Sequence, residues 1–192
     1  MLNIKNLSLV LLSAGFLSIS LGSTHASAAT DVTQLFSVYE EACGYVDSAK
    51  SNNAAKTYNT FKNSFIAHKE STTKGIYNGT IFSLKKHYVI PAPYKNTIVS
   101  ITMKKGDTYS SDSVTYTVKF KDATYRKKPI SHLEIYVVPN SDVFYDALYL
   151  KTSTQGLKPH FKYVQFDDEK LGPHLDSAKK LILCDGIVGS YK

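Results

Sequence analysis

The chain has 192 residues and carries 23 Lys and Arg against 16 Asp and Glu, a formal charge of +7 at neutral pH. It is long enough for one sizeable hydrophobic core, and no internal repeat or low-complexity tract argues against a globular fold. Arg126 is the only arginine. Bidentate readout of guanine or of a fixed phosphate fork is therefore poorly supplied, and sequence-specific nucleic-acid recognition is disfavoured.

Residues 1–28 read as a cleaved secretory signal peptide. One early lysine, Lys5, precedes an apolar run from Leu7 to Leu21, and Ala26-Ser27-Ala28 is a small-x-small cleavage signature. An uncleaved anchor is the rival reading, but Ser8, Ser13, Ser18 and Ser20 dilute the run, and no later stretch approaches the ~20 apolar residues of a membrane helix. Residues 29–192 are then expected to form a single α+β domain in a secreted or periplasmic protein of bacterial type. Export places Cys43 and Cys184, the only two cysteines, where thiols are oxidised, which predicts a disulfide between them. The alternative, a nucleophilic cysteine at Cys43, lacks a recognisable histidine partner motif.

From Asp31, the apolar residues Val32, Leu35, Phe36, Tyr39, Ala42, Cys43 and Val46 follow the spacing of one helical face. Ser51-Asn52-Asn53 interrupts it, and Ala54, Tyr58, Phe61 and Phe65 resume it to about Lys69. The pattern predicts an N-terminal helical hairpin. Residues 71–75 form a polar linker, and Ile76 to Ile90 is strand-rich, with Gly79 at a bulge and Pro91-Ala92-Pro93 ending it. Strands follow over Thr97–Lys104, Val114–Lys121 and Ile130–Val138, with turns at Lys105-Gly106-Asp107 and around Asp122. Short turns between them predict an antiparallel meander of about four to six strands. Ser141 caps a short predicted helix to Leu150, with strand as the alternative. His160–Phe166 is β-prone. Pro173 opens a predicted C-terminal helix that ends near Cys184 and is tethered by the disulfide.

The positive charge is uneven: residues 85–128 hold ten basic and three acidic side chains, net +7, whereas 29–84 sum to zero and 129–192 to −1. Within that stretch Lys85, Lys86, Lys104, Lys105, Lys119, Lys121, Arg126, Lys127 and Lys128, with Tyr88 and Tyr125 (and Tyr94 and Tyr109 nearby), are the candidate ligand-binding residues. Lysines are flexible point charges that suit diffuse anionic partners: lipid headgroups, a membrane surface or an acidic glycan. The competing account is that strand lysines guard sheet edges and keep the chain soluble. For catalysis, His132 and Glu134 lie two apart on one strand face, and a small hydrolase would need a further histidine such as His160, with His87 and His174 the other candidates. A third reading is an interaction protein that pairs through a sheet edge.

Asp167-Asp168-Glu169 lacks the ligand spacing of a calcium loop. No nucleotide-binding, zinc-protease or serine-hydrolase motif occurs, so the reading assigns no metal and no cofactor. Asn78-Gly79-Thr80 matches a glycosylation acceptor pattern by chance. The composition favours an exported binding protein, an effector among its forms, over an enzyme.

Overall fold

A computed structural model describes residues 28–70, 79–92, 94–107, 110–138 and 144–185. The expected signal peptide up to residue 27, the 71–75 linker, Asn78 of the glycosylation pattern and the helix cap at Ser141 lie outside the described residues. The fold is mostly β, with 40% strand and 22% helix.

Chain order runs β1 (Thr30–Asp31), a one-turn helix α1 (Ser37–Glu40), a 3-10 turn at Ala42–Gly44, and α2 (Ala49–Phe65). Then come β2 (Ile66–Glu70), β3 (Gly79–Leu84), a 3-10 turn at Tyr94–Asn96, β4 (Ile98–Lys105), β5 (Val114–Phe120), β6 (Ala123–Tyr125), β7 (Lys128–Val137) and β8 (Phe144–Leu150). After a 3-10 turn at Lys158–His160 the chain ends in β9 (Val164–Phe166), β10 (Glu169–Leu171), β11 (His174–Asp176) and β12 (Leu181–Cys184).

The main sheet has the antiparallel order β4-β5-β7-β8-β12-β11. Beyond Phe120 the line of β5 continues as β6 against the start of β7, and β1 adds to β6 in parallel, so the eight-stranded sheet is mixed. Alternation explains the meander. In β5, Val114, Tyr116, Val118 and Phe120 are buried, while Thr115, Thr117 and Lys119 face the other way. Gly106, at φ +71, turns the chain between β4 and β5, its N–H donating to the Ser113 carbonyl at 2.8 Å.

The helical hairpin predicted at the N-terminus is not formed. Val32, Leu35, Phe36, Tyr39 and Cys43 are fully buried as their spacing implied, but the backbone that carries them is a short strand, turns and a single helical turn rather than a continuous helix. Thr30 and Asp31 pair with β6, and Ala42, Cys43 and Gly44 all take positive φ, at 51°, 56° and 87°. The one helix of real length, α2, starts where a break was expected. Ser48 caps it, its Oγ accepting from the Ser51 N–H at 3.1 Å, so the polar Ser51-Asn52-Asn53 is a first turn rather than an interruption.

The predicted C-terminal helix is absent too. Asp176 accepts from the Lys179 N–H at 2.8 Å and Lys180 takes φ +59, which closes a turn between β11 and β12. Leu181-Ile-Leu-Cys184 then pairs with β8 on one side and β11 on the other. The two ladders give this strand backbone partners on both flanks. Residues 144–150 form the strand that had been the alternative to a short helix. The expected α+β architecture is thus corrected to a mixed sheet with one helix on its inner face.

α2 packs its buried stripe, Ala54, Tyr58, Phe61, Lys62 and Phe65, on that face. Phe36, Tyr39 and Tyr58 form an aromatic cluster with ring centroids 5.8–6.0 Å apart. Cys43 and Cys184 are bonded with Cα atoms 5.7 Å apart, joining the turn before α2 to β12. Beside Cys184 in the ladder stands Asp146, which pairs with Lys62 of α2 at 3.0 Å, both side chains at most 4% exposed. Burial pushes the Asp146 carboxyl up from its usual range, and Lys62 offsets that only in part.

Two outcomes follow. Cys43→Ser with Cys184→Ser is expected to lower unfolding free energy by about 4 kcal/mol, read from denaturant titration, because the closed loop is long. Lys62→Met alone should cost about 3–5 kcal/mol by leaving a buried carboxylate unpaired, whereas Lys62→Met with Asp146→Leu should recover most of it.

Candidate functional site

The basic candidates do not form one patch. Lys85 and Lys86 follow β3, and the Lys85 ammonium donates to the Asn63 carbonyl near the end of α2, a favourable place for a cation. Tyr88 is half exposed in the loop that follows. Lys104 and Lys105 end β4, at one end of the sheet. Lys119, Lys121, Lys127 and Lys128 lie at the other end, where β6 turns into β7. Lys151 joins them, its N–H donating to the Pro129 carbonyl at 2.8 Å.

The turn that presents this end is two residues long, with Arg126 at φ 48 and Lys127 at φ 63. Both values are those of a type I′ hairpin turn, a conformation that Asn and Gly adopt more readily. Glu40 holds it in place. Its Oε1 accepts from the Tyr125 hydroxyl at 2.9 Å and from Arg126 Nε at 2.7 Å, and its Oε2 from Arg126 Nη2. The Arg126 N–H donates to Thr33 Oγ1 at 2.8 Å. Tyr125 is fully buried, and burial together with Glu40 drives its phenol far above its ordinary pKa. Tyr125 and Arg126 are therefore parts of the scaffold, and the cations at this end that are not engaged by Glu40 are lysines.

Next to Glu40, the buried Glu41 takes Lys50 on one oxygen and Lys162 on the other, each at 2.7 Å. Burial alone would raise its carboxyl; the two ammonium groups outweigh that and hold it below the usual range. By contrast, Lys119, Lys121, Lys127, Lys128 and Lys151 have no ion-pair partner among the described residues.

The outward face of the sheet adjoins this cluster. Cross-strand pairing sets Lys119 beside His132 and His132 beside Tyr149, with Thr117 and Ala147 flanking Glu134 in the next row. The His132 and Tyr149 rings stack at 4.1 Å and 9°. His132 Nε2 lies 3.7 Å from Glu134 Oε1, an ion-pair distance but not a hydrogen-bond one. A second stack, Tyr136 on Tyr145 at 4.8 Å, follows further along.

His160 ends the 3-10 turn after β8 and is exposed, outside the strand that carries His132 and Glu134. Among the described residues no three His, Cys, Asp or Glu side chains cluster as a metal site would require. A cleft of about 340 Å³ lies between α2 and Pro91, Ala92 and Tyr94, lined by none of His132, Glu134 and His160. The polar stripe of α2 that lines it reads in sequence as a solvated helix face, and only the fold opposes it to a loop. β4 is paired on one side only among the described residues, as an edge-pairing protein would require. No protein-family model matches the chain, and comparison with curated proteins and with solved structures returns no match.

His132, and to a smaller extent Tyr149, hold the Glu134 carboxyl below the usual carboxylate range, against burial. A carboxylate with a depressed folded pKa contributes stability that is present above its unfolded pKa and lost as pH falls through its folded one. Acid titration of stability should therefore be shallower for Glu134→Gln than for the wild type below about pH 4.5, by less than ~1 kcal/mol because the group is half exposed.

Proposed function

We propose that this is an exported, secreted or periplasmic binding protein whose lysine-bearing hairpin end docks on an anionic surface. The observation that carries the reading is the set of unpaired lysines, Lys119, Lys121, Lys127, Lys128 and Lys151, at one end of the sheet while the sole arginine is engaged by Glu40. Lysine stems there can extend and adapt their heads to an uneven array of charges. A surface of lipid phosphates is such an array. The Cys43–Cys184 disulfide supports an oxidising destination, and no helix among the described residues is long and apolar enough to cross a membrane. Docking by contact at the surface suits that description.

The hydrolase alternative requires His132, Glu134 and a further histidine around a concave site, and no such juxtaposition supports it. Among the described residues the cleft is lined by neither His132 nor Glu134, and no third His, Cys, Asp or Glu joins them in a metal-type cluster.

Vesicle co-sedimentation tests the reading. Binding to vesicles containing phosphatidylglycerol should exceed binding to phosphatidylcholine alone and weaken steadily as salt is raised. Lys121→Glu with Lys127→Glu should cut it roughly tenfold or more, and Lys85→Glu with Lys86→Glu should leave it nearly unchanged. An immobilised acidic polysaccharide in place of vesicles identifies a glycan source for the same charge. Absence of salt-sensitive binding to both would sink the reading.

A further inference from the structure

The cleft between α2 and Pro91, Ala92 and Tyr94 has a chemistry of its own. Asn53, Lys56, Thr57 and Thr60 recur at helical spacing along the side of α2 turned away from the sheet and form one wall. Pro91, Ala92 and Tyr94 form the other, and the floor is Phe61, whose ring meets Tyr94 edge-on at 6.1 Å.

The hydrogen-bonding capacity of this wall is directional. Thr57 Oγ1 donates to the Asn53 carbonyl at 3.0 Å and Thr60 Oγ1 to the Lys56 carbonyl at 2.8 Å. With their protons spent on the helix, both hydroxyls offer lone pairs to the cleft. The Asn53 side chain can donate and accept. Lys56 is exposed, without an ion-pair partner among the described residues, and no carboxylate lines the cleft. A fitting ligand therefore has hydroxyl donors, one negative charge and an apolar face for the Tyr94 and proline side. At about 340 Å³ the space is at the small end of ligand sites.

We infer that this cleft is a binding site for an acidic sugar unit of the hexuronate kind. Lys56 takes the carboxylate, the Asn53, Thr57 and Thr60 groups take ring hydroxyls, and the ring's apolar face lies toward Tyr94. None of the hairpin-end lysines takes part, so the site stands independently of surface docking.

NMR titration of the labelled, disulfide-intact protein with sodium glucuronate, glucose and sodium acetate tests it. Glucuronate through the millimolar range should give saturable shifts at the amides of Asn53, Lys56, Thr57, Thr60, Ala92 and Tyr94. Glucose should bind several-fold more weakly, and acetate should not saturate. Lys56→Gln should weaken glucuronate about tenfold while leaving glucose unchanged. Thr57→Trp, a substitution on the helix surface, should fill the cleft and abolish both while the spectrum stays that of a folded protein. Lys121→Glu with Lys127→Glu should change none of this, which separates the cleft from the docking surface. The inference is overturned if no sugar gives saturable shifts at these residues, if glucose and glucuronate bind equally, or if Thr57→Trp binds as the wild type does.

Discussion

Two adjacent buried carboxylates, Glu40 and Glu41, hold together parts of the chain that no ladder connects. Glu40 reaches the β6–β7 turn through Tyr125 and Arg126. Glu41 reaches Lys50 at the start of α2 and Lys162 in the segment before β9. Two residues on, Cys43 is bonded to β12. A buried carboxylate left without partners costs several kcal/mol, so each must have its cations if the turn is to lie inside the molecule. Each has two polar partners. The positive φ values at Ala42 and Cys43 are the backbone consequence, since a regular helix through these residues could not direct Glu40, Glu41 and Cys43 at three separate targets.

That node also decides which cations remain for a partner. By taking Arg126 and the Tyr125 hydroxyl, Glu40 fixes a turn whose φ values suit neither Arg nor Lys. Lys127 is held at its tip. Glu41 removes Lys162 and Lys50 from the pool, and Asp146 removes Lys62. What remains at the hairpin end is a set of lysines that outnumbers its exposed acids, Asp31 and Asp122, next to the row of Lys119, His132 and Tyr149. The same interactions that close the core leave the charge outside it unbalanced.

The central strands were legible because one face is core and the other is water, and alternation records that directly in Val114 to Phe120 and in Leu133, Ile135 and Val137. The two misplaced helices show the limit of the same logic. Val32, Leu35, Phe36, Tyr39 and Cys43 carry helical spacing because those side chains are all buried, yet a parallel pairing to β6, a single helical turn and three positive φ angles accomplish the burial without a helical hairpin. Leu181 to Cys184 is too short for periodicity to discriminate, and its vacant place between β8 and β11 decided the matter. Of the site, the lysines were visible as a linear count, but their division between two sheet ends and the C-terminus of α2 depends on register. The engagement of Arg126 by a residue 86 positions away has no local signature.

Edge protection accounts for only some of these lysines. A sheet needs charge on the strands whose backbone is unpaired, and Lys104 and Lys105 sit on β4, an edge strand whose other end exposes Val99. Lys127 and Lys128 do not meet that description: they belong to a hairpin turn and to β7, which is paired on both flanks. Solubility alone is served best by interspersed charges of both signs. Like charges held close together repel, and nothing in the fold at that end requires them. A cluster that the scaffold does not need is more economically explained by what it meets outside the molecule, and an anionic surface is the partner that would relieve the repulsion.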